Sequence, residues 1–249
     1  METPKVALIT GAGSGIGLAT AERLVADGYQ VIGLGRRAQV LREQLPAQAR
    51  ALACDVSDSE AVDRIVQQVG ADHGRIDALV NCAGLIHRGL LQDMSNAQMQ
   101  SQINVNLYGT IHMARATLPW LKRSHGAMVN FSSTLSQHPV SGVSIYAATK
   151  GAIEAFSRAL AFELAPDRVR VNVISPALVR SDIWLAAGMS EKDYQRLIAA
   201  RAQDYPLGRV GEPKELADIV AFLLSSATQW ITGINLPVDG GSSINTVRV

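Results

Sequence analysis

Lys5-Val6-Ala7-Leu8-Ile9-Thr10-Gly11-Ala12-Gly13-Ser14-Gly15-Ile16-Gly17 places three local structures in one short run. Residues 5–10 read as a buried strand, the glycines that follow as a turn, and Leu18, Ala21, Leu24 and Val25 as one face of a helix. Strand, glycine turn and helix N-terminus together form a cradle for a pyrophosphate. The glycines let backbone N–H groups come close, and the helix dipole favours negative charge. The spacing G-x-G-x-x-G is not met, because its third glycine falls on Ile16. T-G-x-x-x-G-x-G is met, by Thr10, Gly11, Gly15 and Gly17.

The same strand-then-helix rhythm repeats along the chain. Strand-like segments fall near residues 5–10, 30–35, 49–54, 76–82, 127–132, 169–174 and 233–238, with helical patterns between them. Such alternation predicts an α/β fold, a doubly wound parallel sheet covered on both faces. With 249 residues, 47% of them hydrophobic, the chain suits one domain spanning 1–249. Net charge is +1 with no block of like charge, so nothing recommends a nucleic-acid or anionic-membrane partner. The first strand starts by Lys5, and no apolar run approaches the ~18 residues of a membrane span, so a soluble, cytoplasmic protein is expected. The 5 histidines are scattered without paired spacing, and no metal is expected.

Tyr146-Ala147-Ala148-Thr149-Lys150 stacks a phenol and an ammonium one helical turn apart. A cation beside tyrosine favours the phenolate, so the expectation is a phenol made acidic enough for proton transfer. With the glycine turn, this Y-x-x-x-K pair resembles the short-chain dehydrogenase/reductase family, and the likeness runs from residue 5 to about residue 243. Asn81-Cys82-Ala83-Gly84 looks like the family's N-x-A-G, with Cys82 at a variable place more often held by asparagine. Asn106 precedes Leu107-Tyr108-Gly109 as in the family's long helix. Ser133 precedes Tyr146 at the family's distance, and Asp239-Gly240-Gly241 resembles its D-G-G.

The resemblance implies a Rossmann-type seven-stranded sheet in the order 3-2-1-4-5-6-7. Cys54 and Cys82 would then end strands three spacings apart, roughly 14 Å at about 4.8 Å each, too far for a disulfide. It further implies a dinucleotide held by Gly11, Ser14, Gly15, Ile16 and Gly17, with Asp55 and Val56 at the adenine and Asn81, Ala83 and Gly84 beside the riboses. Pro176, Val179 and Ser181 would meet the nicotinamide, where Ala177 replaces the family's glycine. Gly35 stands where NAD-preferring members carry aspartate, and Arg36 and Arg37 follow, so NADP(H) is expected, with NAD possible. Two other readings stay open: the arginines start the next helix as solvated residues, and Asp55 caps one, although Ser57 or Asp58 is better placed for that.

In the implied chemistry Tyr146 gives a proton to a substrate oxygen that Ser133 also hydrogen-bonds, Lys150 keeps the phenol acidic and bonds the ribose, and Asn106 rather than Asn104 holds a relay water. The positions beside these motifs predict a largely apolar substrate wall of Leu85, His87, Leu135, Gln137, His138, Val140, Val143, Leu178 and Trp184. Residues 177–211, between the sixth strand and the last helix, read either as a substrate lid or as a helix pair packed on the sheet. The helix bearing Tyr146 is apolar on more than one side, which suits a homodimer or homotetramer, or burial under the C-terminal segment. The function implied is hydride transfer between NADP(H) and a small ketone, aldehyde or secondary alcohol, with Tyr146 as general acid/base. An NAD-linked polyol or sugar dehydrogenase is the alternative, and a non-catalytic dinucleotide sensor a remote one, disfavoured by an intact Asn106, Ser133, Tyr146 and Lys150.

Overall fold

Strand β1 (Val6–Thr10) shows how the sheet is built: Val6 and Leu8 point into one apolar core, Ala7 and Ile9 into another. Period-two alternation with both faces apolar is what a strand covered on two sides requires. The computed structural model describes residues 3–244, so the ends of the expected domain 1–249 lie outside the described residues. Strands β2 (Gln30–Gly35), β3 (Arg50–Ala53), β4 (Ala78–Asn81), β5 (Ala127–Phe131), β6 (Arg170–Pro176) and β7 (Asn235–Val238) complete a parallel sheet ordered β3-β2-β1-β4-β5-β6-β7. The expected order is the observed one.

Helices α1 (Gly15–Ala26), α2 (Ala38–Gln44) and α9 (Pro213–Leu224) cover one face, with Leu24, Leu41, Leu216 and Val220 in its core. Helices α3 (Ser59–His73), α5 (Gly109–Ser124) and α6 (Ser144–Leu164) cover the other, with Val66, Met113, Leu121 and Leu160. Fully burying such a side chain is worth about 1.5–3 kcal/mol, so the two cores fix the sheet on which the site is built.

The chain leaves β3 at one edge and returns as β4 on the far side of β1. Such a switch in strand order opens a crevice beyond the carboxyl ends of the strands. Register aligns Thr10, Asn81 and Asn130 along that edge. Before α5, helix α4 (Asn96–Ile103) runs into a π-helical turn, Asn104–Tyr108. After β6 come the short helix α7 (Ile183–Ala186) and α8 (Glu191–Asp204). No helix among the described residues is long and apolar enough to cross a membrane.

Candidate active site

The glycine turn is shaped by close approach. Gly11 (φ 67°) and Gly15 (φ 52°) are left-handed, and a Cβ on Gly17 would lie 2.2 Å from the Gly11 carbonyl oxygen. A Cβ on Gly11 would come 2.9 Å from Ala83 Cα, so the turns after β1 and β4 touch. Thr10 Oγ1 pins them by accepting from the Cys82 and Ala83 amides, both at 3.0 Å. Ser14 occupies the N-cap of α1 with no side-chain capping bond, and the first N–H groups of a helix have no partner within it. A cradle that any side chain would fill, lined by free N–H donors, fits a dinucleotide pyrophosphate.

After β2, Arg36 and Arg37 are exposed and make no ion pair among the described residues. Arg37 is the N-cap residue of α2 but its side chain makes no capping bond, so the helix does not use the guanidinium. Asp58, not Asp55, caps α3, accepting from the Glu60 and Ala61 amides at 3.0 Å each. Asp55 Oδ1 instead accepts from the Ser57 amide (3.0 Å) and hydroxyl (2.7 Å). Buried Val56 accepts through its carbonyl from the His112 ring at 3.1 Å. The Asn81 side chain turns beneath the edge and donates to Asn130 Oδ1 at 2.8 Å, leaving only its backbone near the crevice.

Tyr146, Lys150 and Ser133 converge on one cavity of about 420 Å³, which Ile16, Gly84, Pro176, Val179 and Ser181 also line. All three side chains are buried, and Ser133 Oγ, which accepts from the Leu135 amide at 3.2 Å, stands close enough to the Tyr146 hydroxyl to favour its ionisation. Lys150 Nζ donates to the Phe131 carbonyl at 2.8 Å and stands 5.6 Å from the centre of the Tyr146 ring. Asn106 is fully buried in the π turn: Nδ2 donates to the Leu85 carbonyl at 2.9 Å and to Thr149 Oγ1 at 3.3 Å, and Oδ1 accepts from the Leu85 amide at 2.8 Å. Asn104 meets Gln100 on the outer side of the helix instead.

The electrostatics correct one expectation. Burial pushes the Tyr146 phenol up to about 12, and the nearby Ser133 hydroxyl only partly opposes it. Burial likewise lowers Lys150 to about 8. The ammonium is engaged at a carbonyl and beside the ring rather than at the hydroxyl, so withdrawal of the phenolate from water outweighs attraction to the cation. The phenol is therefore a protonated donor at neutral pH.

The substrate wall also needs correction. Leu135, His138, Val140, Leu178 and Trp184 line the cavity, but Leu85, His87, Gln137 and Val143 do not. After β4 every second residue, Gly84, Ile86 and Arg88, reaches the cavity, while the backbone of Leu85 is tied to Asn106 and that of His87 to Gln102 Oε1 (2.6 Å). Gln137 donates to Glu154 at 3.2 Å, and Val143 packs with Ile86 and Tyr146 in a small apolar cluster. Ile183 from α7, and Leu197 and Arg201 from α8, complete the wall. Their places were readable in part: 197, 201 and 204 share one helical stripe. Residues 177–211 thus wall the crevice, and the Tyr194 and Tyr205 hydroxyls accept from the Ser181 (2.9 Å) and Leu178 (3.0 Å) amides.

Similarity to known proteins converges on the same chemistry. A family model described as enoyl-(acyl carrier protein) reductase matches residues 11–243. The short-chain reductase protein NovJ of Streptomyces niveus is 38% identical over 246 residues, covering 95% of this chain and 93% of the relative. The 3-oxoacyl-(acyl-carrier-protein) reductase FabG of Escherichia coli is 34% identical over 241 residues, 95% of this chain and 96% of its own. Among solved structures, Thermoplasma acidophilum aldohexose dehydrogenase in ligand-free form superposes with a TM-score of 0.91 at 31% identity, covering 99% of this chain and 97% of that one. The 3-ketoacyl-(acyl-carrier-protein) reductase from Brucella melitensis complexed with NADH does so with 0.86 at 32%, covering 96% and 98%. With a matching family model over nearly its whole length and a phenol, lysine and serine gathered beside a dinucleotide cradle, this chain belongs to the short-chain dehydrogenase/reductase family of NAD(P)-dependent oxidoreductases.

Proposed function

We propose that this protein reduces the ketone of an acyl substrate, a 3-oxoacyl thioester being the best fit, with NADPH as hydride donor. The observation that carries the reading is the composition of the cavity: a polar floor of Ser133, Tyr146 and Lys150 under a wall of Ile86, Leu135, Leu178, Ile183, Trp184 and Leu197. The apolar part of that wall accepts an acyl chain, while Arg88, His138, Arg201 and Asp204 line the same cavity and offer charged or polar partners. Two reductases named for 3-oxoacyl or 3-ketoacyl substrates among the relatives support it. The aldohexose dehydrogenase likeness keeps an NAD-linked sugar oxidation as the second reading.

A bound NADPH would supply the hydride that the carbonyl carbon accepts. Negative charge then grows on the substrate oxygen, where Tyr146 delivers its proton and Ser133 donates a hydrogen bond, leaving a secondary alcohol. Lys150 holds positive charge beside the phenol, and Asn106 steadies the Gly84–Leu85 turn by its two bonds to Leu85. Val179 and Ser181 close the cofactor side of the cavity, and Arg36 and Arg37 would receive a 2′-phosphate.

The assembly that fits this reading is a homodimer or homotetramer through α6. Ala148, Ala155, Ala159 and Phe162 lie exposed on that helix, Phe162 at 86%. The test of the function is a panel of acetoacetyl coenzyme A, aldohexoses and polyols assayed by nicotinamide absorbance with each cofactor. Reduction of the thioester with NADPH is the expected leading activity; faster NAD-linked oxidation of an aldohexose would replace this reading by the second.

A further inference from the structure

We propose that Glu154 is a positioning residue for the reaction, its buried carboxylate holding Ser133 beside Tyr146 by clamping the chain on both sides of that serine. The inference rests on the role given to Ser133 above. Tyr146, Lys150 and Glu154 follow one another at intervals of four residues, so successive turns of α6 present them along one side. Tyr146 and Ser133 come from different elements, a helix and the loop after β5, and their separation depends on what ties the two together.

Glu154 supplies three such ties. It is only 8% exposed. Its Oε1 accepts from Ser132 Oγ at 2.6 Å and from Ser136 Oγ, and its Oε2 from Gln137 Nε2 at 3.2 Å. The bonded residues bracket Ser133. Three donors converge on one side chain, and an ionised carboxylate, which accepts at both oxygens and donates at neither, satisfies all of them.

Each serine hydroxyl has a single proton and a competing acceptor. Ser136 Oγ also lies 2.7 Å from the Ser133 carbonyl, and Ser132 Oγ 3.0 Å from the Lys150 carbonyl. A charged acceptor wins this competition, and the Ser133 carbonyl is left to the Ser136 amide at 3.0 Å. Without the carboxylate the hydroxyls fall back on main-chain oxygens, and Ser136 bonds within its own turn. The Ser136 and Gln137 ties to α6 are then lost, Ser132 keeps only the Lys150 carbonyl, and the Ser133 hydroxyl loses its fixed distance from the substrate oxygen.

The experiment is a double-mutant cycle with acetoacetyl coenzyme A and NADPH. Glu154→Ala is expected to lower kcat on the order of 10- to 100-fold, part of the ~10²–10³ that follows outright loss of an oxyanion donor. NADPH affinity, measured by fluorescence titration, should stay within about twofold, and in a Ser133→Ala background the same change should cost less than about threefold. Should the Glu154→Ala melting profile show an unfolded protein, the Ser132→Ala/Ser136→Ala pair breaks two of the three ties from the loop and is run through the same cycle. Equal losses with and without Ser133, or an unchanged kcat in a folded variant, overturn the proposal. Activity surviving in Tyr146→Phe would instead overturn the mechanism itself, so the two failures are told apart.

Discussion

The two ends of the cavity are held by different forces. Lys150 in the floor, and Thr10, Asn106 and Glu154 behind it, are buried, bonded side chain to backbone or side chain to side chain, and tied to strand ends or the segments just beyond them. At the wall, Ile183, Trp184 and Leu197 are half-buried apolar residues on two helices, anchored to the strand end through the Tyr194 and Tyr205 hydroxyls. Directional bonds fix geometry to fractions of an ångström, whereas apolar contact only asks for volume. Changes at the floor should therefore act in an all-or-none way on kcat, and changes at the wall by degrees on KM.

Tyr146→Phe tests the floor most severely. Removing the proton donor should cut kcat by about 10²–10⁴ while NADPH binding persists, and a variant that keeps its rate would erase the contrast. Next in size, Arg36→Asp should raise the KM for NADPH tenfold or more, about 1.5–3 kcal/mol for a charged hydrogen bond, with little effect on NADH. Equal effects on both cofactors would remove the phosphate assignment. Lys150 sets a pH limit. It is charged below its value of about 8 and loses that charge above it, so reductive kcat/KM should fall as pH rises through that value. A profile flat to about pH 10, the ordinary lysine range, would show that its charge is not used. The smallest effect belongs to the wall: Tyr194→Phe removes one bond to the Ser181 amide, a net loss of about 0.5–1.5 kcal/mol, and should raise the substrate KM a few fold without touching kcat.

The same divide governs what could be read from the sequence. Gly11, Gly15 and Gly17 declare themselves because only glycine survives their geometry, and the strand order followed from motifs whose places in the sheet are fixed. Cavity residues were harder. Leu85 and His87 looked as eligible as Ile86 and Arg88, since one step along an irregular segment changes which side chain faces inward, and no periodic pattern announces the phase. The rise in the Tyr146 pKa was hidden for a related reason: four-residue spacing brings phenol and ammonium near each other but says nothing of how completely the fold withdraws the phenol from water. Glu154 carried no motif at all, and its importance rests on serines that lie close to it only in the folded chain.

The phenolic anchors in α8 and at its C-terminal end have a practical side. Because Tyr194 and Tyr205 grip main-chain amides, their hold is indifferent to which side chains occupy neighbouring positions. Someone wishing to redirect this oxidoreductase toward bulkier substrates could recarve Ile183 and Leu197 while the helix stays moored, much as a lock is rekeyed without rehanging the door.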